Sequence, residues 1–217
     1  TDDCFEYILG YIKPGMTEKQ IAREIDDYYY KNAEGTSFDT IVASGENSSK
    51  PHAVPTDRKI QEKDIITIDM GCKIDGYCSD MTRTFFVGEI PEEMKKVYDL
   101  VLKNQVQTLN DMREGYSTKM LAKMVDNDFR LNNYDLIHAL GHGVGLDIHE
   151  SPIISTRSEN ILKENMVVTD EPGIYIAGQF GIRIEDTVLI TKSGCINLTK
   201  SNKNYVIVDE KWKSIDF

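Results

Sequence analysis

An α+β domain made of two related halves is predicted by three features of the 217-residue sequence. A helical segment occurs twice at an offset of 100 residues. A histidine with a proline three residues on occurs twice. Acid-bearing strand segments occur as two hairpin-like pairs. Helix and antiparallel strand in each half make a pseudo-twofold α+β domain, read as one domain over residues 1–217. Charged residues make up 28% and hydrophobic residues 40%, as in a folded globule.

The helices come first. Residues 12–29, IKPGMTEKQIAREIDDYY, and 112–129, MREGYSTKMLAKMVDNDF, share Gly15/Gly115, Lys19/Lys119, Ala22/Ala122 and Asp26/Asp126. Average composition gives about one identity in such a window. Each copy reads as a turn, a hydroxyl N-cap and an amphipathic helix. Thr17 with Gln20 forms a capping box, and Ile21, Ala22, Ile25, Tyr28 and Tyr29 form the apolar stripe. Between the halves, residues 91–112 have helical spacing, with Pro91 suited to the first helical position.

The strands carry the acids. Residues 65–69 (IITID) and 77–87 read as a hairpin around the Asp75-Gly76 turn, which places Asp69 close to opposite Asp80. Residues 167–171 and 182–190 repeat the plan around Gly178, with Glu171 and Glu185 each seven residues from it. Like charges placed opposite one another cost energy, and a cation or two removes that cost. A lone acid on a strand is an ordinary surface residue; four acids at matched positions point to a cation site.

Three of the four histidines lie in HALGHGVGLDIHE, residues 138–150. Gly141, Gly143 and Gly145 oppose a helix there. In an extended segment, four residues span about 13 Å, so His138 and His142 do not both reach one ion at about 2.1 Å. Glycines on both sides allow close backbone approach and select His142 as the ligand. GHGVG lacks the Gly-Lys-Ser/Thr ending of a phosphate loop.

The remaining features set limits. A net charge of −11 argues against nucleic acid or an anionic membrane as partner. No apolar run approaches the roughly 18 residues of a membrane span, and no signal peptide is visible, so a cytoplasmic location is expected. Thr1 in place of Met fits a piece trimmed from a longer chain. Cys4, Cys72, Cys78 and Cys195 form no CxxC pair. Free thiols are therefore expected in preference to a zinc site or a Cys72–Cys78 disulfide.

Taken together, SFDTIVASGENSSKPH (37–52), ITIDMGCKIDGYCSDMTRTFFVG (66–88), HALGHGVGLDIHESP (138–152), VVTDEPGIY (167–175) and GIRIED (181–186) resemble the creatinase/aminopeptidase superfamily. The resemblance runs from about Ile12 to Val208 and is strongest to the catalytic domain of Xaa-Pro aminopeptidases and Xaa-Pro dipeptidases. It implies the pita-bread fold, a curved antiparallel sheet covered by helices. Position by position, it implies metal ligands at Asp69, Asp80, His142, Glu171 and Glu185. It implies further active-site roles for His52, His138, His149 and Arg183. Oxygen-rich ligation suits two divalent ions, Mn2+ before Co2+, Zn2+ or Fe2+.

The implied reaction is hydrolysis of the Xaa-Pro bond in small peptides with proline second. His149 stabilises the oxyanion and Glu171 shuttles a proton. His52 completes the catalytic set and also holds substrate, with His138 and Arg183. A homodimer is compatible with the family. The competing readings are a methionine aminopeptidase-like enzyme, a peptide-binding pita-bread domain without catalysis and, more remotely, a creatine-type amidinohydrolase. The chain departs from the family in two respects: Asp170 stands where an aliphatic residue is usual, and the N-terminal domain of proline-directed members has no counterpart.

Overall fold

The computed structural model describes residues 1–208, so residues 209–217 of the single domain read over 1–217 lie outside the described residues. Helix α1 (Asp2–Tyr11) precedes the first repeat. Helix α2 (Glu18–Asn32) starts at the expected capping box: Gln20 N donates to Thr17 Oγ1 at 3.1 Å, and Thr17 N donates to Gln20 Oε1 at 2.8 Å. Helix α3 (Glu92–Asp111) has Pro91 at its N-cap, one step before the expected first helical position. Pro91 there has ψ 138, which keeps it extended rather than helical. Helix α4 (Thr118–Leu131) begins after Ser117, whose hydroxyl accepts from Met120 N.

The first half supplies strands β1 (Ile41–Ser44), β2 (Ile65–Met70), β3 (Lys73–Ile74), β4 (Tyr77–Cys78) and β5 (Met81–Val87). The second supplies β6 (Gly141–Gly143), β7 (Glu150–Ile154), β8 (Val167–Asp170), β9 (Gly173–Ile176), β10 (Phe180–Arg183), β11 (Asp186–Ile190) and β12 (Cys195–Asn197). Strand β13 (Ile207–Val208) returns to pair in parallel with β5. The two larger sheets have the orders β1-β2-β5-β13 and β12-β11-β8-β6-β7, and β9–β10 and β3–β4 form two-stranded pairs.

Each sheet has its own core. Phe5, Ile8, Ile21 and Ile25 of α1 and α2 pack on Ile66, Ile68 and Phe85. Val97, Val101, Leu121 and Phe129 of α3 and α4 pack with Val168, Ile182 and Val188. Each fully buried Ile, Leu, Val or Phe contributes about 1.5–3 kcal/mol. Strand alternation follows from this packing. Ile66 and Ile68 face the helices, which turns Thr67 and Asp69 toward the other half. There Thr67 Oγ1 lies 3.4 Å from Gly181 O, and Thr84 Oγ1 donates to Arg183 O at 2.8 Å.

The repeat extends to individual hydrogen bonds. Gly15 N donates to Ile60 O and Gly115 N to Leu162 O, each at 2.8 Å. Isolated bridges join Thr17 to Lys59 and Ser117 to Ile161. Gly15 and Gly115 have φ 90 and 81, which explains glycine at both turns.

Two strand expectations change. Residues 65–87 do not form one long hairpin, because β3 and β4 form a separate small pair around Asp75 (φ 53) and Gly76 (φ 78). The β2–β5 register pairs Asp69 with Thr82, so Asp80 is a diagonal neighbour at the irregular step before β5. The second hairpin keeps its expected symmetry. Asp170 pairs with Asp186 and Gly173 with Arg183, which leaves Glu171 and Glu185 at the step between. Among the described residues no helix is long and apolar enough to cross a membrane, and all four cysteines are free.

Candidate metal centre and active-site pocket

A cavity of about 770 Å³ opens where the acid-bearing faces of the two halves meet. Asp69, Asp80, His142, Glu171 and Glu185 all line it, as do His52, His138, His149 and Arg183. The structure thus brings together every site residue read from the sequence.

His142 is held extended in β6, with no helical HxxxH pair. Its N–H donates to Thr169 Oγ1 at 3.0 Å. A Cβ added at Gly141 would lie 2.1 Å from Thr169 O, and one at Gly143 would lie 2.4 Å from Ser151 O. Only glycine on both sides lets the neighbouring strands approach this closely. His142 Nδ1 lies 2.9 Å from Gly143 O. A carbonyl oxygen only accepts, so Nδ1 carries the proton and Nε2 presents a lone pair. That lone pair is 3.4 Å from Asp80 Oδ2 and 3.3 Å from Glu171 Oε1. Three acceptors facing one another repel unless a cation lies between them.

Other donors fit the same interpretation. Ligand atoms of Asp80, His142 and Glu185 all lie within 4.8 Å of one another. Among the described residues, Asp69 Oδ1 and Glu185 Oε1 are buried without a hydrogen-bond partner. Burial, reinforced by the neighbouring acids, pushes Asp80 and Glu185 well above the usual carboxylate range. Burial raises Glu171 from 4.5 to about 7, against the opposing pull of Arg183. These groups are destabilised as anions unless positive charge is supplied, and their donor chemistry suits a hard divalent ion.

Hydroxyls and one arginine set the carboxylate positions. Thr82 Oγ1 donates to Glu185 Oε2 at 2.6 Å, and Thr169 Oγ1 to Glu171 Oε1 at 3.1 Å. Arg183 Nη2 donates to Asp69 Oδ2 at 2.8 Å. Its Nη1 donates to Tyr175 Oη at 2.6 Å, and Tyr175 Oη is 2.9 Å from His138 Nε2. His138 Nδ1 lies 2.7 Å from Ala139 O and so is the donor. With His138 neutral, Arg183 donates to Tyr175, Tyr175 donates to His138, and His138 donates to Ala139. Burial, with the Arg183 charge nearby, pushes His138 down to about 4 and keeps it neutral. Sequence reasoning did not single out Tyr175. Its only signal is its place in EPGIY.

His52 and His149 are exposed to the cavity. The His149 ring packs edge-on against His142, with centroids 4.4 Å apart. Asp170 points away from the site, as strand alternation requires. It is fully buried, and neither carboxylate oxygen has a partner among the described residues. Burial and the facing Asp186 push it well above its ordinary value.

The sequence model of metallopeptidase family M24 matches residues 1–192. The chain is 43% identical over 196 residues to the Xaa-Pro dipeptidase of Pyrococcus furiosus, covering 88% of this chain and 56% of that protein. A crystal structure of X-Pro aminopeptidase from Thermotoga maritima superposes with a TM-score of 0.92 at 41% identity, covering 95% of this chain and 59% of the other. Xaa-Pro dipeptidase from Bacillus anthracis gives the same TM-score at 40% identity, again covering 95% and 59%. The chain therefore spans somewhat over half the length of these relatives. A family match over most of the chain, together with this structural similarity, shows that the chain belongs to metallopeptidase family M24 and has the pita-bread fold.

Proposed function

We propose that this domain hydrolyses the bond between an N-terminal residue and a following proline in small peptides. It would use two divalent ions held by Asp69, Asp80, His142, Glu171 and Glu185. The observation that carries the proposal is the His142 lone pair facing Asp80 and Glu171 beside the unpartnered oxygens of Asp69 and Glu185. Four carboxylates nearly balance two divalent ions, and oxygen-rich ligation favours Mn2+. When bound, the ions would supply Lewis acidity toward the scissile carbonyl and toward water.

The chain's own groups do the rest. His149 faces the cavity beside His142 and stabilises the oxyanion that develops at the carbonyl. Glu171 moves a proton from water to the proline nitrogen. His52 and the ring of His138 hold the substrate. Both His138 nitrogens are already engaged, so its contact is through the ring. Arg183 holds Asp69 and Tyr175. A proline nitrogen in a peptide carries no N–H, so its ring must be recognised by shape. Phe38, Ile41, Ile148 and Ile153 provide apolar cavity walls for it.

We assign the domain to the cytoplasm, in keeping with its free thiols. We read residues 1–217 as one catalytic domain. Mn2+-loaded protein assayed against Xaa-Pro dipeptides, Xaa-Pro-Yaa peptides and Met-Ala-Ser tests the reading. Cleavage confined to the proline peptides is expected, and faster cleavage of Met-Ala-Ser overturns it. A His149→Ala variant with unchanged turnover removes that residue from the scheme.

A further inference from the structure

Glu18 opens α2 and is completely buried, yet it lies outside the cavity lining. Its carboxylate accepts five hydrogen bonds. Oε1 takes Ser44 N at 2.6 Å and the Ser44 hydroxyl at 2.7 Å. Oε2 takes the Asn47 amide at 2.9 Å, Thr56 N at 2.8 Å and the Thr56 hydroxyl at 2.6 Å. A glutamate in the first helical turn is favoured by the helix dipole alone. That explains neither complete burial nor five donors converging from another part of the chain.

All the partners flank His52. Ser44 ends β1, Asn47 lies in the short 3₁₀ turn Gly45–Ser49, and Thr56 follows His52 by four residues. Asn47 also donates to Val54 O at 3.3 Å. On the cavity side, Arg183 Nη1 donates to Pro51 O at 3.1 Å, and Gly181 N donates to Ser48 Oγ at 2.9 Å. The imidazole of His52 is exposed and makes no hydrogen bond among the described residues, so, apart from its backbone, no side-chain hydrogen bond holds it.

The second half shows why a carboxylate is needed here. His149 is followed directly by β7, which is paired with β6. At the position matching Glu18, Thr118 Oγ1 lies 2.9 Å from both Ser158 Oγ and Asn160 O. Among the described residues, the segment around His52 has no strand pairing. Without Glu18, the backbone N–H groups of Ser44 and Thr56 would lose their partner.

We propose that Glu18 is a positioning residue. By tying residues 44–56 to α2, it sets where the His52 imidazole and the Pro51 carbonyl stand in the cavity. The catalytic consequence rests on the Xaa-Pro reading above, whereas the positioning itself does not.

Hydrogen exchange on the Mn2+-loaded protein tests the positioning. Glu18→Ala is expected to speed exchange of amides 44–56 by about tenfold, a loss of about 1.4 kcal/mol, with β8 and β11 unchanged. Kinetics with an Xaa-Pro peptide test the consequence. KM is expected to rise about tenfold with kcat within about twofold, and by less than about twofold in a His52→Ala background. Glu18→Gln, which keeps one acceptor oxygen, is expected to fall between, and it decides the matter if the alanine variant does not fold. Unchanged exchange at 44–56, or KM effects that multiply with those of His52→Ala, overturns the proposal. A parent protein that cleaves no Xaa-Pro peptide overturns the functional reading instead, and the exchange result still decides the positioning.

Discussion

Asp170 and His138 show how environment decides what a side chain does. Asp170 faces Asp186, which is already occupied by Arg83 at 2.7 Å and Lys203 at 2.6 Å. Among the described residues no donor remains for Asp170, so it sits buried and unpartnered there. An unsatisfied buried polar group costs about 1–3 kcal/mol. Asp170→Val is therefore expected to raise the melting temperature. The folded-state pKa of Asp170 is raised, so its penalty grows as pH rises above the ordinary carboxylate value. The gain should accordingly be larger near pH 7 than near pH 4, which thermal unfolding at the two pH values checks. His138 has the opposite sign. Its folded value is lowered to about 4, so it favours folding above its ordinary 6.5 and withdraws that support as pH falls toward 4. Imidazole NMR should show it neutral down to about pH 5, and protonation near pH 6.5 would contradict the Tyr175–His138 proton order.

Among the secondary-structure elements, β6 tolerates little change, with both of its glycines packed against backbone. It is three residues long, pairs with β7 and β8, and brings His142 to the acids. Gly141→Ala would drive a methyl into the Thr169 carbonyl. The expected result is a lower melting temperature and weaker divalent-ion uptake, measured by metal analysis after loading. Wild-type uptake would contradict the close-packing account. The hairpins show what could be seen in advance. Asp75-Gly76 and Gly178 mark turns through local backbone preference, and alternation puts Asp69, Thr82 and Glu185 toward the site. Local pattern did not reveal that β3 and β4 break away; at that break Cys78 N donates to Gly145 O of the other half at 2.8 Å, and Ser79 N to Cys72 O at 2.9 Å. Asp80 is consequently diagonal to Asp69.

For the molecule as a whole, the acid cluster couples stability to metal and pH. Glu171 titrates at about 7 in the fold against an ordinary 4.5, and Asp80 and Glu185 are raised as well. A raised acid supports folding below its ordinary pKa and loses that support as pH climbs through the folded value. In chelator, the melting temperature should therefore fall between about pH 4.5 and pH 7. Saturating Mn2+ should restore it at pH 7, by about 2.7 kcal/mol at a hundredfold excess over Kd. A melting temperature indifferent to both chelator and pH would argue against a shared cation.

The repeated helix with its capped start, and the meeting of Asp69, Asp80, His142, Glu171 and Glu185 in one cavity, were legible in the sequence. Each rests on chemistry or periodicity that acts over a few residues. Only the tertiary structure decided the Asp69–Thr82 register, the path from Arg183 through Tyr175 to His138, the lack of a partner for Asp170, and the hold of Glu18 on the His52 segment. These depend on atoms brought together from separate stretches of the chain, and around Asp170 from both halves. No local pattern encodes how two packed sheets meet, and the site lies on that junction.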